Sequence, residues 1–321
     1  MTKIAIVGAG AMGCVLGAYL TKGGADVVLV DPMKEHMDAI AKNGLIMNGG
    51  GDTREVIQMK TAYNAQDIGI QDYIVIMVKG TLTKVALEGA MPAIGEDTCV
   101  CTFQNGFGNV ETIAETIPKE KIFYGCLNMA SLLKGSGEVY GNLFGDVHVH
   151  VGSVVREGLQ AKAGELIAEL FTKGGAVSNY DGDAIDMYVW EKALINIAVN
   201  ASLGLVRLRG FEATDVPAFQ KLLLDTISEA VAVANAKGVT ELTVGTFLSE
   251  TLPNAAKTAG DHYPSMAQDI LMNKKKTEIE FLNGAVQRMG AELGIPTPVN
   301  ETIANLVRTI ETRYDLQYYP K

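Results

Sequence analysis

Near its amino terminus the chain reads Ile4-Ala5-Ile6-Val7-Gly8-Ala9-Gly10-Ala11-Met12-Gly13. This stretch reads as a buried strand that runs into glycines spaced G-x-G-x-x-G and then into a helix. In that spacing Gly8 permits a tight turn, Gly10 lets the backbone approach a pyrophosphate, and Gly13 lets the helix pack on the strand. Phosphates then lie at the helix amino terminus, where free N–H groups favour negative charge. The stretch therefore predicts a dinucleotide-binding loop.

A carboxylate follows the second predicted strand, at the position where such folds contact the adenosine ribose. That strand ends Val28-Leu29-Val30-Asp31, which places Asp31 18 residues beyond Gly13 (31 − 13). A carboxylate there accepts hydrogen bonds from the ribose hydroxyls and repels a 2′-phosphate, so Asp31 favours NAD over NADP. The structural alternative is that Asp31 caps the next helix, with Pro32 at its first position.

The first half of the chain alternates short apolar runs with helical patterns. This rhythm predicts a parallel sheet covered by helices on both faces. The glycine cluster at 49–51 predicts a hairpin inserted within Gly44–Lys60, and the turn Lys134-Gly135-Ser136-Gly137 predicts a second antiparallel pair within Asn128–Gly152. The predicted strands are Lys3–Val7, Asp26–Val30, Tyr73–Val78, Thr98–Phe103, Lys121–Leu127 and Ala176–Ser178. The predicted helices are Ala11–Lys22, Met33–Asn43, Leu82–Met91, Gly108–Thr116 and Leu159–Phe171.

From about Asp183 the pattern becomes helical throughout. The fold class that follows is α/β, with a Rossmann-type dinucleotide-binding domain over residues 1–181 and an all-α substrate and catalytic domain over 182–321. We expect a cleft between the two. The predicted helices of the second domain are Asp183–Leu203, Pro217–Lys237, Thr243–Thr251, Pro264–Met272, Thr277–Leu293 and Thr297–Tyr314.

Composition and charge exclude several classes of protein. The 321 residues include 37 acidic and 27 basic side chains, a net charge of −10, and an acidic chain repels the phosphate backbones of nucleic acids. The longest apolar stretch, Ala193–Val206, contains two asparagines and a serine and is shorter than the ~20 residues that span a bilayer. The amino terminus enters an apolar strand without a signal-peptide pattern. We therefore expect a cytoplasmic protein without a nucleic-acid or membrane partner.

The four cysteines predict neither a disulfide framework nor a metal site. Cys14, Cys99, Cys101 and Cys126 are too few and too irregularly spaced for a disulfide scaffold. A metal site would need further ligands, and the chain has four histidines. Cys99 and Cys101 alternate with Val100, so we expect them on one face of a strand as small buried side chains. No metal is expected.

Polar residues recur at positions where ligands bind in such folds. Lys79 and Asn105 each follow a predicted parallel strand, at the carboxyl edge of the sheet. In the helical half, Lys192, Asn196 and Asn200 are spaced four apart and form one stripe on an otherwise apolar helix. The structural alternative is that Lys192 reaches solvent and that the two asparagines form hydrogen bonds to neighbouring helices. We favour a functional site, because buried polar groups are costly without partners.

Five separated features match one known family, in family order and over nearly the whole chain. They are the glycine loop, Val78-Lys79, Gln104-Asn105-Gly106, Trp190-Glu191-Lys192 with Asn196 and Asn200, and Pro264-Ser265-Met266-Ala267-Gln268-Asp269 with Thr277-Glu278-Ile279-Glu280-Phe281-Leu282-Asn283-Gly284. With these features the chain resembles the ketopantoate reductases (2-dehydropantoate 2-reductases). The family fold, a Rossmann-type domain followed by a helical domain, agrees with the fold predicted above.

The resemblance implies reduction of ketopantoate to D-pantoate by hydride transfer from a nicotinamide cofactor, as in pantothenate biosynthesis. It implies that Lys192 is the general acid that protonates the C2 oxygen of the substrate. Glu278 would orient this lysine and meet the nicotinamide half of the cofactor. Asn105 would bridge cofactor and substrate, and Lys79 would lie near the cofactor and close when both ligands bind.

The resemblance also implies a set of substrate ligands. Asn196, Asn200 and Ser265 would hydrogen-bond the carboxylate and hydroxyl groups of the substrate, beside Asn105 and Lys192. Asp269 would hold the Ser265 helix. A homodimer is a further possibility.

Some positions depart from the family pattern. His262 stands where many members have an asparagine, and Arg209-Gly210-Phe211 replaces an Asn-Gly pair. The stretch between Asp269 and Glu278 is one residue longer than usual, and Asp31 replaces a basic residue of NADPH-dependent members. These departures concern substrate and cofactor.

Two alternatives follow from those departures. One is an NAD-dependent D-2-hydroxyacid dehydrogenase acting on branched or aromatic 2-keto acids. The other is a silent dinucleotide-binding protein or redox sensor, which the retained Lys192 and Glu278 disfavour because a sensor needs no proton donor.

Overall fold

The computed structural model describes residues 1–50, 53–155, 159–209, 212–213, 215–259 and 263–318, with the backbone alone at 159–160 and 256–259. The chain divides into two compact units. The first contains Met1–Gln104 and Asn109–Ile185, and the second contains Asp186–Lys321 together with the short segment Asn105–Gly108. His262 and the Gly210-Phe211 pair lie outside the described residues.

An eight-stranded sheet forms the centre of the first unit. The strands of this unit are β1 (Lys3–Val7), β2 (Asp26–Val30), β3 (Leu45–Asn48), β4 (Arg54–Ile57), β5 (Lys60–Ala62), β6 (Tyr73–Ile76), β7 (Cys99–Thr102), β8 (Ile122–Leu127), β9 (Met129–Gly135), β10 (Glu138–Leu143), β11 (Val149–Ser153) and β12 (Ser178–Tyr180). The large sheet has the order β12-β11-β8-β7-β6-β1-β2-β5, with β11 antiparallel to β8 and the other pairs parallel. Because β1 lies between β2 and β6, the sheet has its switch point beside β1, where dinucleotides bind in such folds.

The two predicted hairpins join into one small sheet. Its order is β4-β3-β10-β9, with β3 and β10 paired in parallel and each hairpin antiparallel. The prediction of an antiparallel pair over Asn128–Gly152 holds for β9 and β10, but β11 leaves it and joins the large sheet beside β8. Strand β5, which pairs with β2, was not predicted, because three residues carry too little pattern to identify a strand.

Helices cover both faces of the large sheet, and the predicted α/β class is confirmed. Side chains alternate between the two faces: Ile4 and Ile6 belong to one apolar core, and Ala5 and Val7 to the other. The helices of this unit are α1 (Ala11–Lys22), α2 (Lys34–Asn43), α3 (Thr83–Ala90), α4 (Asn109–Ala114) and α5 (Leu159–Lys173).

Cys99 and Cys101 lie on the predicted face of β7, but Cys99 is only partly buried. Cys101 is fully buried in the core that contains Ile4, Cys99 packs against the same core, and Val100 lies on the opposite face. All four cysteines carry free thiols.

The second unit is helical in its described part. Its helices are α6 (Ile185–Val206), α7 (Pro217–Ala236), α8 (Val244–Thr246), α9 (Leu252–Ala259), α10 (Ser265–Gln268), α11 (Asn283–Leu293) and α12 (Pro298–Thr312). A π-helical turn joins α8 to α9 over Phe247–Thr251, and another follows α10 over Asp269–Asn273. Helix α6 is the one segment of the described chain that is long and apolar enough to cross a membrane. Most of it is buried among the other helices, as in the core helix of a globular domain.

Two predicted helices are wrong in their limits. Thr277–Leu293 is not one helix: a 3-10 turn covers Ile279–Phe281, and Leu282 has non-helical angles (φ −118°, ψ −104°) before α11 begins. The carbonyl of Phe281 accepts a long-range hydrogen bond instead of continuing a helical ladder. Thr243–Thr251 does not end at 251 but continues through the π-helical turn into α9, whose second residue is Pro253.

Candidate active site

The glycine loop has the close packing that its spacing requires. Gly8 has φ +101°, and a Cβ there would lie 2.7 Å from the backbone nitrogen of Val78. A Cβ at Gly13 would lie 2.0 Å from the carbonyl oxygen of Gly8, so α1 can approach β1 only with glycine at that position. A Cβ at Gly10 would meet no described atom within 4 Å. The loop therefore leaves open space beside the amino terminus of α1, which fits a bound pyrophosphate.

Asp31 is tied to the glycine loop. Its carboxylate accepts the N–H of Ala9 at 3.0 Å and, through the other oxygen, the N–H of Met33 at 2.9 Å. A carboxylate offers about four acceptor sites, so two remain for ribose hydroxyls. The expectation that Pro32 is the first residue of α2 is wrong, because Met33 is the N-cap and Pro32 precedes it. Asp31 thus connects the glycine loop to the turn that precedes α2.

Side chains link the carboxyl ends of β6 and β7. The amide nitrogen of Gln104 donates to the carbonyl of Val78 at 2.7 Å and to the hydroxyl of Thr83 at 2.9 Å. Lys79 follows Val78 as an exposed residue that begins a 3-10 turn. Since Val78 also touches Gly8, the structure brings Lys79 to the same edge of the sheet as the glycine loop. The linking role of Gln104 was not predicted, although it lies in the quoted Gln-Asn-Gly motif.

The segment Asn105–Gly108 is held by the helical unit. The N–H of Phe107 donates to the carbonyl of Phe281 at 2.8 Å. A Cβ at Gly106, which has φ +79°, would lie 2.0 Å from that same carbonyl oxygen. The Phe107 ring packs against Trp190 of α6 with centroids 4.2 Å apart. The segment is therefore clamped between α6 and the turn that contains Glu278.

The polar stripe of α6 meets this segment. The side-chain nitrogen of Asn196 donates to the side-chain oxygen of Asn105 at 3.4 Å. Lys192 and Asn196 are partly buried on the helix, and Asn200 is 6% exposed. Directly before Lys192, the carboxylate of Glu191 accepts the hydroxyl of Thr251, in the first π-helical turn, at 3.0 Å. The structure thus brings together Asn105 and the stripe.

Ser265 and Glu278 lie at the two ends of one irregular segment. Ser265 is exposed at the start of α10, and Glu278 is partly buried at the start of the 3-10 turn. Between them, Asp269 is buried and accepts the side-chain amide of Asn273 at 3.2 Å across the π-helical turn. A π-helical turn accommodates an extra residue in a helix and is frequent at functional sites.

Two side chains of α12 hold the Glu278 turn in place. The carboxylate of Glu311 accepts the N–H of Thr277 at 2.7 Å and its hydroxyl at 2.6 Å. Arg308 donates to both oxygens of Glu280, at 2.6 and 2.8 Å, and this bidentate contact holds the pKa of Glu280 below its ordinary value. No local pattern predicts these contacts, because they join residues 34 and 28 positions apart.

A buried amide network anchors α6 to the last two helices. The side-chain nitrogen of Asn283 donates to the carbonyl of Ile197 at 3.1 Å and to Asn300 at 3.0 Å. Asn300 in turn donates to Glu229 at 2.7 Å. This network was not predicted. Among the described residues, no group of three or more His, Cys, Asp or Glu side chains is arranged to hold a metal.

Comparison with known proteins identifies the family. Residues 4–155 match the model of ketopantoate reductase PanE/ApbA, and residues 184–311 match the model of its C-terminal part. The chain belongs to the ketopantoate reductase family. It is accordingly an NAD(P)-dependent oxidoreductase that acts on a small keto acid.

Curated relatives of this ketopantoate reductase family member cover nearly the full chain. It is 31% identical over 315 residues to the 2-dehydropantoate 2-reductase of Streptococcus pyogenes serotype M18 (strain MGAS8232), covering 97% of this chain and 99% of that protein. It is 29% identical over 314 residues to the enzyme of the same name from Lactococcus lactis subsp. lactis (strain IL1403), covering 96% and 98%.

Solved structures share its fold. A ternary structure of D-mandelate dehydrogenase with NADH and anilino(oxo)acetate has a TM-score of 0.87 at 28% identity, covering 98% of this chain and 100% of that one. The 2-dehydropantoate 2-reductase of Geobacter metallireducens GS-15 has a TM-score of 0.86 at 28% identity, covering 96% and 99%.

Proposed function

We propose that the protein reduces 2-dehydropantoate to D-pantoate, the reduction step of pantothenate biosynthesis. The observation that carries the proposal is the contact between Asn105 and Asn196, which joins the loop after β7 to the polar stripe of the lysine helix. Curated relatives named 2-dehydropantoate 2-reductase support the same substrate. Residues 1–181 would form the cofactor domain and residues 182–321 the substrate domain of a cytoplasmic enzyme. Its assembly as a homodimer stays a prediction.

The glycine loop is the proposed cofactor site. A bound nicotinamide cofactor supplies the hydride. Residues 8–13, namely Gly8, Ala9, Gly10, Ala11, Met12 and Gly13, would hold its pyrophosphate with backbone N–H groups at the start of α1. Asp31 would accept the ribose hydroxyls, and Lys79 would reach the cofactor from the end of β6.

Lys192 is the proposed proton donor. Its ammonium group would protonate the C2 oxygen of the keto acid as the hydride reaches C2, so that no free alkoxide forms. Glu278 would orient that ammonium group and contact the nicotinamide half of the cofactor. The clamp between Phe107 and the Phe281 carbonyl supports this arrangement, since it ties the Asn105 segment to the turn that begins at Glu278.

Amide and hydroxyl groups are the proposed substrate ligands. Asn105, Asn196 and Asn200 would donate to the substrate carboxylate and exchange hydrogen bonds with its hydroxyl group. Ser265 would contact the same groups from α10. A π-helical turn over Asp269–Asn273 lies between Ser265 and Glu278, in the stretch that is one residue longer than usual.

A second candidate function is an NAD-dependent D-2-hydroxyacid dehydrogenase for branched or aromatic 2-keto acids. Two observations favour it: the structural similarity to D-mandelate dehydrogenase with NADH, and the carboxylate of Asp31 beside the glycine loop. At an effective dielectric of ~20, a carboxylate and a phosphate charge ~4 Å apart repel by about 4 kcal/mol before screening. Even a quarter of that is a several-fold preference for NADH.

Steady-state kinetics separate the candidates. We would measure kcat/KM for ketopantoate, 2-ketoisocaproate and phenylglyoxylate, each with NADH and with NADPH. Ketopantoate as the best substrate supports the first proposal, and phenylglyoxylate or 2-ketoisocaproate with NADH supports the second. Tenfold better use of NADPH would reduce Asp31 to a turn-forming residue, and absence of turnover with every pair would contradict both functions.

A further inference from the structure

A chain of hydrogen bonds joins the glycine loop to the small sheet of the first unit. Asp31 accepts the N–H of Ala9 at 3.0 Å, and the carbonyl of Ala9 accepts the thiol of Cys14 at 3.2 Å. The Cys14 sulfur lies 3.4 Å from Nε2 of His36, and Nδ1 of His36 lies 3.0 Å from the backbone nitrogen of Gly137, in the β9–β10 turn. Cys14 is fully buried and His36 is 2% exposed.

The direction of each bond in this chain is fixed by its two ends. The N–H of Gly137 can only donate, so Nδ1 of His36 is an acceptor and carries no proton. The neutral ring then carries its proton on Nε2, which donates to the sulfur of Cys14, while the Cys14 thiol donates to Ala9. Burial raises the pKa of Cys14 to about 12, so the thiol keeps this proton. Every member of the chain is satisfied only while His36 is neutral.

We infer that His36, acting through Cys14, is a positioning residue for cofactor binding: it fixes Ala9 and thereby the Asp31 carboxylate in the geometry that receives the dinucleotide. The inference rests on the proposed cofactor site. The N–H of Gly137 holds the other end of this hydrogen-bond chain. Gly137 lies in the β9–β10 turn of the small sheet, and this sheet lies outside the Rossmann topology. His36 itself touches no proposed ligand atom, so its effect on cofactor binding passes through Ala9.

Protonation of His36 at low pH should break this chain of hydrogen bonds. Burial lowers the pKa of His36 below its ordinary value of 6.5, whereas the Asp31 carboxylate and the carbonyls of Ala9 and Gly135 act in the opposite direction. A protonated ring carries hydrogen on Nδ1, which then faces the N–H of Gly137 and must turn toward the Gly135 carbonyl. Cofactor affinity therefore decreases as the pH falls through this lowered pKa and neutral His36 is lost.

The test is direct binding of NADH, measured by the fluorescence of the bound nucleotide between pH 5 and 8, without any keto acid. His36→Leu removes both ring contacts and is expected to raise the Kd for NADH about three- to tenfold at pH 7.5, the range of a net hydrogen-bond contribution. His36→Gln offers an acceptor and a donor and does not titrate. It should keep the wild-type Kd at pH 7.5 and lose its acid dependence.

A cysteine pair and a histidine control make the test specific. Cys14→Ser preserves a donor and acceptor at the central link, and Cys14→Ala removes both. We expect the alanine variant alone to raise the Kd. His148→Gln replaces another histidine whose pKa burial lowers. It precedes β11, which β8, β7 and β6 separate from β1, and its replacement should leave the binding profile unchanged.

The outcomes separate the inference from the proposed function. Wild-type protein that fails to bind NADH contradicts the proposed cofactor site. Wild-type binding with an unchanged Kd in folded His36→Leu, or an acid dependence that persists in His36→Gln, overturns the inference alone. If His36→Leu does not fold, the Cys14 pair decides: equal Kd values for serine and alanine overturn the positioning role, and a higher Kd for alanine supports it.

Discussion

The two proposed ligand-binding regions of this chain are positioned by different means. The glycine loop is shaped by the backbone: Gly8 and Gly13 are required because neighbouring backbone atoms leave no room for a Cβ. The polar stripe on α6 is shaped by side chains instead, through the Phe107–Trp190 pair and the amides that join α6 to distant helices. Backbone requirements leave a short motif in the sequence, whereas side-chain packing is distributed over many positions.

The largest effect should come from removing the proposed acid of the second region. Lys192→Ala is expected to lower kcat by about 10²–10⁴-fold, the usual contribution of general acid catalysis. Its Kd for NADH should stay near the wild-type value, because the glycine loop is intact. Lys221→Ala, which removes an exposed lysine paired with Asp225, is the control. Near-normal kcat in Lys192→Ala would remove this lysine from the mechanism.

Next in size is a contrast within the glycine loop. Gly13→Ala places a Cβ against the Gly8 carbonyl and should destabilise the first unit by about 1–3 kcal/mol. Gly10→Ala places its Cβ in open space and should leave thermal stability unchanged while weakening NADH binding. Thermal unfolding and nucleotide titration of both variants test this. Equal stability of the two would refute the view that backbone contacts shape the loop.

A smaller effect is expected for the clamp on the Asn105 segment. Phe107→Leu removes an aromatic pair worth about 0.5–1.5 kcal/mol, so the KM for the keto acid should rise about two- to tenfold with an unchanged Kd for NADH. Trp190 is the only tryptophan of the chain, so its fluorescence emission reports directly the loss of the Phe107 ring. Phe103→Leu, which alters a Phe103–Phe171 pair of the other unit, should leave that emission unchanged.

The smallest effect concerns acid and the free energy of unfolding. Burial lowers the pKa values of His36 and His148, so unfolding takes up protons once the pH falls below 6.5. Stability is therefore fully present above that pH and declines toward the lowered pKa values. Urea unfolding at pH 7.5, 6.5 and 5.5 should show this decline, with a reduced slope in His36→Gln. A slope identical to wild type would mean that His36 is protonated equally in both states.

The sequence predicted the first unit better than the second. β1, β2 and α1 begin and end at the predicted residues, because period-two apolar runs and a glycine turn are local signals. The sequence did not predict the helix break at Leu282. The break depends on a hydrogen bond from the N–H of Phe107 to the carbonyl of Phe281, which no pattern within Thr277–Leu293 indicates. The spacing of Lys192, Asn196 and Asn200 identified a polar stripe, but its contact with Asn105 depends on a residue 91 positions away.

The four residues Asn105–Gly108 also bear on how this chain can be recombined. They follow β7 in the sequence but pack with the helices, where Phe107 contacts both Trp190 and Phe281. A fragment that starts at residue 186 would retain the helices and lose this segment. Chimeras made by exchanging carboxyl-terminal halves between relatives would pack residues 105–108 of one protein against the helices of another. Such exchanges should therefore transfer residues 105–108 together with the helical half, because the two segments form one structural unit although they are separate in the sequence.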